Sequence, residues 1–343
     1  MSAQPKALRI GGIVIAILAV IAVVAQCLRP LVRRHRLSPV VTSAIEKGVG
    51  YLERSQLPSG EFRTCASADP LMSDECAFDG SPFATSLIVY SLSRASHPAI
   101  GGITERALRF LRDDMSGPGI WRYWSRGNPK HRDIDPDLDD IACVSFVLRK
   151  FGAPFPPNER LLIDNRAGEG RFRVWLRSGR FQVNEFDCVV DTNVLLYLGE
   201  RPETQAACAS VNDIINAGTR CGRYYPSPLS LYYMHSRALR EGIACLGKSR
   251  EAAVDGVIRT VRGRESTGNA LHAALAACAL LNYQRENRTL DRLIDALIEL
   301  QRPDGSWRRS TFYLGPAPYY GSDELTTALA LEALAGYLKT IQR

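Results

Sequence analysis

The stretch Gln301-Arg302-Pro303-Asp304-Gly305-Ser306-Trp307 reappears near the other end of the chain as Gln56-Leu57-Pro58-Ser59-Gly60-Glu61-Phe62. In each, a glycine turns the chain, and an aromatic ring follows that can wedge between neighbouring units. Gly117-Pro118-Gly119-Ile120-Trp121 and Gly168-Glu169-Gly170-Arg171-Phe172 are shorter echoes between them. A pattern met at both ends and twice between them signals a repeat architecture.

Around these loops, two kinds of helical run alternate. Residues 82–96, 137–151, 189–199, 228–241, 268–283 and 322–338 are apolar almost all round. Residues 39–56, 104–115, 158–164, 203–217, 249–262 and 289–301 carry an apolar stripe and a charged face. Helices of the first kind want full burial, and those of the second cover a core and face water. Strand signals are scarce. Six inner and six outer helices in alternation predict an all-α fold, an (α/α)6 toroid over residues 39–343.

The second of the inner runs opens on an unusual density of acid. Asp133-Ile134-Asp135-Pro136-Asp137-Leu138-Asp139-Asp140 holds five aspartates in eight positions. Aspartate suits a helix N-terminus, as a cap and as a partner of the helix dipole. Carboxylates this close also raise one another's pKa, so that one can stay protonated near neutral pH and act as a Brønsted acid. Both readings stand on residues alone. Asp187 and Asp191 lie at the start of the third inner run, and Asp323 and Glu324 at the start of the sixth, which predicts carboxylates gathered on one rim of the ring.

The Gln-x-x-x-Gly-x-Trp/Phe loops followed by an inner helix resemble the repeats of squalene–hopene cyclases and of related prenyltransferase-like toroids. Asp137-Leu138-Asp139-Asp140-Ile141-Ala142 resembles the D-x-D-D-T-A acid motif of class II terpene cyclases, with Ile141 where Thr is usual. The resemblance implies an enzyme that protonates an isoprenoid lipid, with Asp139 as the acid, Asp137 and Asp140 tuning it, and no metal or other cofactor. It also implies a supporting histidine, for which His235 and His272 are the candidates. Finally, it implies an apolar cavity lined by π-faces that stabilise positive charge. Trp121, Trp124, Tyr225, Tyr232, Tyr313 and Tyr320 are candidates to line it, with Asp187, Asp191 and Asp323 on its rim.

Two departures bear on this. Squalene-type cyclases have two barrels, whereas this body has room for one, so it would use its own centre or a partner protein supplying the second. Zinc-dependent protein prenyltransferases bind their metal through Asp-x-Cys, and Asp187-Cys188 lacks the intervening residue, so no metal is expected. The alternatives are a non-catalytic toroid binding a lipid or protein at the membrane, a prenyltransferase-like subunit, and glycan hydrolysis by paired carboxylates.

The chain has 43 basic and 36 acidic residues. Six of the basic ones (Lys6, Arg9, Arg29, Arg33, Arg34 and Arg36) fall in residues 1–36, which hold no acid, so the body carries only 37 against 36. No basic face for nucleic acid is visible in that balance. After a short tail at 1–9, residues 10–28 are apolar except for Gln26 and long enough to cross a bilayer. They predict a single-pass membrane anchor, followed by a basic linker at 29–38. The heavier positive flank after the anchor predicts a cytoplasmic body. None of the nine cysteines forms a C-x-x-C pair. Cys65 and Cys76 flank a polar loop and could bridge if the body were exported; with a cytoplasmic body and an odd total, free thiols are expected, Cys143, Cys208, Cys245 and Cys278 as core residues.

Overall fold

The computed structural model describes residues 37–176, 185–263, 268–315 and 318–342. Six inner helices form a closed ring: α2 (Pro82–Leu92), α4 (Leu138–Lys150), α6 (Cys188–Leu198), α8 (Pro228–Arg240), α10 (Ala270–Asn282) and α12 (Asp323–Ile341). Each packs on the next, and α12 packs back on α2. Outside lie α1 (37–55), α3 (Ile100–Asp113), α5 (Glu159–Asp164), α7 (Gln205–Ala217), α9 (Arg250–Thr260) and α11 (Arg288–Leu300). The alternation read from sequence is therefore the architecture. Residues 10–28, the expected anchor, and most of the linker at 29–38 lie outside the described residues. Among the described residues, no helix is long and apolar enough to cross a membrane.

The repeated loops close the ring in the same way at both ends. Gln56 Nε2 donates to Gly60 O within its own turn and to Ile103 O of the next outer helix, at 2.9 and 3.0 Å. Gln301 Nε2 does the same to Gly305 O and to Ala44 O of α1, at 3.0 and 2.9 Å, so the last outer helix is stitched to the first. Gly305 has φ +94°, and a Cβ there would lie 2.2 Å from Lys47 O. Only glycine combines that dihedral with that approach. The wedge is equally direct: Trp307 is fully buried, with Nε1 donating to Leu297 O at 2.7 Å.

Two features correct the sequence reading. A small antiparallel sheet in the order β2-β1-β4-β3 joins β1 (Cys65–Ser67), β2 (Ala77–Phe78), β3 (Tyr313–Leu314) and β4 (Tyr319–Gly321). Strands of two or three residues are too short to show alternation, which is why the fold read as purely helical. Pairing of Cys65 with Gly321 and of Ala66 with Tyr320 ties the loop before α2 to the loop before α12. The second correction concerns thiols. Cys65–Cys76, Cys188–Cys221 and Cys208–Cys245 are disulfides, and only Cys143 and Cys278 are free among the described residues. The partners in Cys188–Cys221 and Cys208–Cys245, 33 and 37 residues apart on different elements, leave no local signal.

Candidate active site

A cavity of about 560 Å³ opens at the N-terminal end of the inner ring. Its wall is contributed by successive inner-helix starts: Phe83 from α2, Asp137, Asp139 and Asp140 from α4, Val190 from α6, Tyr224 and Tyr225 just before α8, and Tyr313 and Tyr319 before α12. Between these lie Tyr123, Ile134, Val174 and Trp175. The lining is thus mostly apolar and aromatic, with the aspartates of one helix start as its acid. Tyr313 stacks on Tyr320 at 5.5 Å between ring centroids, and the Tyr123 ring meets both edge-on. Phe312 packs edge-on against Tyr225 at 5.6 Å.

The three aspartates have separate surroundings. Asp137 is the N-cap of α4, accepting from Asp140 N at 2.8 Å. Asp139 Oδ1 accepts from Asn193 Nδ2 at 2.6 Å, and the Tyr225 hydroxyl meets Oδ2 in a short hydrogen bond. Asp140 is buried, and its Oδ2 has no partner among the described residues. Burial pushes Asp139 up to about 6, opposed by the hydrogen bonds from Tyr225 and Asn193 and by the charge of Arg237. Asp137 is also raised, by burial and then by Asp139, and Asp140 is raised further, by burial and by both neighbours. A helix N-terminus favours carboxylate; here the loss of water outweighs it.

A chain of donors behind Asp139 fixes where its proton sits. Arg237 is fully buried, with no carboxylate in ion-pair range among the described residues, and its Nη2 donates to Asn193 Oδ1 at 2.6 Å. A guanidinium only donates, so Asn193 must turn its oxygen to Arg237 and its NH2 to Asp139. Oδ1 of Asp139 then accepts, and the proton of the neutral acid lies on Oδ2. Once that proton leaves, Tyr225 donates to the oxygen it vacated. Asn193 and Arg237 were missed in the sequence because they sit in the middle of α6 and in the last turn of α8, 54 and 98 positions from the acid, with nothing local to mark them.

Tyr225 and Tyr313 stand in the cavity wall as expected, and Tyr320 stands directly behind it. The other expected residues go elsewhere. Trp121 is a wedge, its Nε1 bound to Leu111 O at 2.6 Å, and Trp124 donates to Asp79 Oδ2 at 2.7 Å. Tyr232 lies over Gly256 in a separate groove. His235 is fully buried between Tyr283, at 2.6 Å, and Ser249, at 2.9 Å, and burial pushes it down to about 4. It is a neutral core residue without contact to the acid. Asp187 caps α6 and receives the backbone N–H groups of Arg223, at 2.7 Å, and Tyr224. Asp191 pairs with Arg171 at 2.8 Å, and Asp323 with Arg302 at 3.2 Å. These three hold loops and do not line the cavity. Cavity residues that sequence reading did not single out include Phe83, Ile134, Val174, Trp175 and Val190.

Among the described residues, no group of His, Cys, Asp and Glu side chains is arranged to hold a metal ion. The ring of inner helices, the outer helices and the wedge loops define a terpenoid-cyclase-like α/α toroid. The type II terpene cyclase MstE from Scytonema, in complex with geranylgeranyl dihydroxybenzoate, superposes with a TM-score of 0.68 at 14% identity, over 89% of this chain and 99% of that one. A protein from Actinoplanes superposes with a TM-score of 0.67 at 16% identity, over 88% of this chain and 100% of that one. An unsaturated glucuronyl hydrolase specific for heparin shares the fold less closely, with a TM-score of 0.57 at 12% identity over 89% and 98%. No protein-family model matches the chain, and no curated protein matches it.

Proposed function

We propose that the protein is a membrane-anchored class II terpene cyclase-like enzyme that protonates an isoprenoid lipid through Asp139. The observation that carries this reading is a buried carboxyl held by two neutral donors, without an ion-pair partner among the described residues, in the wall of an aromatic cavity. In the reaction, Asp139 Oδ2–H gives its proton to a terminal alkene. One alkene carbon gains a C–H bond and the other becomes a cation. Neighbouring π-bonds of the substrate attack that cation in turn, closing rings, and a proton lost at the last cation leaves an isomer of the substrate. Tyr123, Tyr225 and Tyr313 supply rings that stabilise positive charge without adding to it. Tyr225 and Asn193 stabilise the carboxylate left behind.

A partner supplying a second barrel is not needed for this chemistry. MstE is spanned almost end to end by this one toroid, so a type II terpene cyclase can be built on a single ring. Glycan hydrolysis fits less well, because the carboxylates in the lining, Asp137, Asp139 and Asp140, share one helix start and none faces another across the cavity. The apolar run at 10–28 is proposed to hold the body at the membrane from which a lipid substrate arrives.

The test is incubation of the full chain in membranes with geranylgeranyl dihydroxybenzoate, geranylgeraniol and farnesol as probes, followed by chromatography and mass spectrometry. The expected result is a product of unchanged mass and altered retention from at least one probe, absent with Asp139→Asn. Product formation undiminished in that variant refutes the mechanism.

A further inference from the structure

The segment from Thr219 to Ser227 has neither helix nor strand, yet it carries Arg223, Tyr224 and Tyr225 into the cavity wall. Its position determines whether the Tyr225 hydroxyl reaches Asp139. Two restraints act at one point. Asp187 accepts from the N–H groups of Arg223 and Tyr224, and the next residue, Cys188, is bridged to Cys221 with 5.7 Å between Cα atoms. Cys188 opens α6, the helix that bears Asn193. The bridge therefore ties together the two elements that supply both hydrogen-bond donors of Asp139. By contrast, Cys208–Cys245 joins α7 to the 3-10 turn at Ala244–Ser249, and neither element contributes to the cavity.

We infer that Cys188–Cys221 is a positioning crosslink of the acid site and that the body folds in an oxidising compartment. The first part rests on the reading of Asp139 as the acid; the second does not. Six of the eight cysteines in the described residues are paired, and the other two are buried. That usage belongs to exported domains and is rare where thiols are kept reduced. It points to the side of the membrane opposite to the one expected from the basic residues after the apolar run. Each bridge forms by exchange: two thiols lose two protons and two electrons, and a donor disulfide of an oxidoreductase is reduced to two thiols. With Tyr225 held on Asp139 by a covalent link, reduction releases the segment and loosens the acid.

Two measurements test the parts separately. Cells expressing the full chain are denatured in a maleimide reagent, and the protein is mapped by mass spectrometry before and after reduction. Cys65, Cys76, Cys188, Cys208, Cys221 and Cys245 are expected to label only after reduction. Labelling of all six beforehand overturns the compartment, whatever Asp139 does. Turnover of geranylgeranyl dihydroxybenzoate is then compared for C188A/C221A and C208A/C245A. The first is expected to lose kcat about tenfold, as for loss of the Tyr225 hydrogen bond to the charged acid, with its pH midpoint raised and little further loss on adding Y225F. The second is expected to lose thermal stability only. Wild-type kcat and midpoint in folded C188A/C221A overturn the positioning role. Should that variant not fold, stepwise reduction of the folded wild type reads the same quantity: turnover falling as Cys188 and Cys221 become labelled supports the role, and turnover unaffected by their release overturns it.

Discussion

Asp139 and Asp191 are both buried near the starts of consecutive inner helices, and in sequence they look alike. Their partners differ. Asp191 receives Arg171 at 2.8 Å and the Phe172 backbone N–H at 3.1 Å, so its charge is matched and it fastens the turn before α6. Asp139 receives an amide and a hydroxyl, both neutral, and the nearest guanidinium stands one residue further back, behind Asn193. Burial raises both, each to about 6. Only Asp139 lines a cavity. An acid at an inner-helix start is thus structural when a cation and a loop claim it, and free for proton transfer when neutral donors and a cavity surround it.

The largest expected effect separates the two residues outright. Asp139→Asn should lower turnover of a cyclised probe by roughly 10³-fold or more, since general-acid catalysis contributes about 10²–10⁴, with the melting temperature held or raised. Arg171→Met should do the reverse. It leaves Asp191 buried without its cation, a loss of about 3–5 kcal/mol of stability by the usual cost of breaking a buried pair, read by denaturant unfolding. The pH midpoint of turnover should stay in place. If Arg171→Met moved that midpoint and spared stability, the contrast between the two acids would collapse.

Finer predictions concern the donors. An acid catalyst must be protonated, so kcat/KM should fall as pH rises through about 6. Tyr225→Phe removes a donor to the charged form. Asp139 then holds its proton to higher pH, and the midpoint should move up while kcat falls about tenfold, in line with a lost hydrogen bond to a charged group. Arg237→Met should shift the midpoint in the same direction and lower kcat roughly threefold by the Brønsted dependence on acid strength. KM should not change, because Arg237 acts through Asn193 and does not line the cavity. A KM effect without a pH shift would reassign Arg237 to packing.

The fold was legible because its determinants are local and repeated. Gln56 and Gln301, Gly60 and Gly305, and Phe62 and Trp307 each do the same work wherever they occur, and helix faces follow from periodicity. The aspartates of α4 were equally visible. What sequence did not reveal is set by distance across the ring: the Asn193–Arg237 relay, the cavity residues Phe83, Ile134, Val174, Trp175 and Val190, and the disulfides Cys188–Cys221 and Cys208–Cys245. His235 misled for the same reason. Its place on an inner helix is correct, but Tyr283 and Ser249 claim both ring nitrogens from neighbouring elements.

The central claim is that a proton from Asp139 starts the reaction, and solvent deuterium reads this directly. The protein is equilibrated in D2O, supplied with geranylgeranyl dihydroxybenzoate, and the product is returned to ordinary water before mass analysis. The account predicts a cyclised product carrying one non-exchangeable deuterium from the wild type and none formed by Asp139→Asn. A cyclised product without deuterium, or the same labelled product from Asp139→Asn, would contradict it.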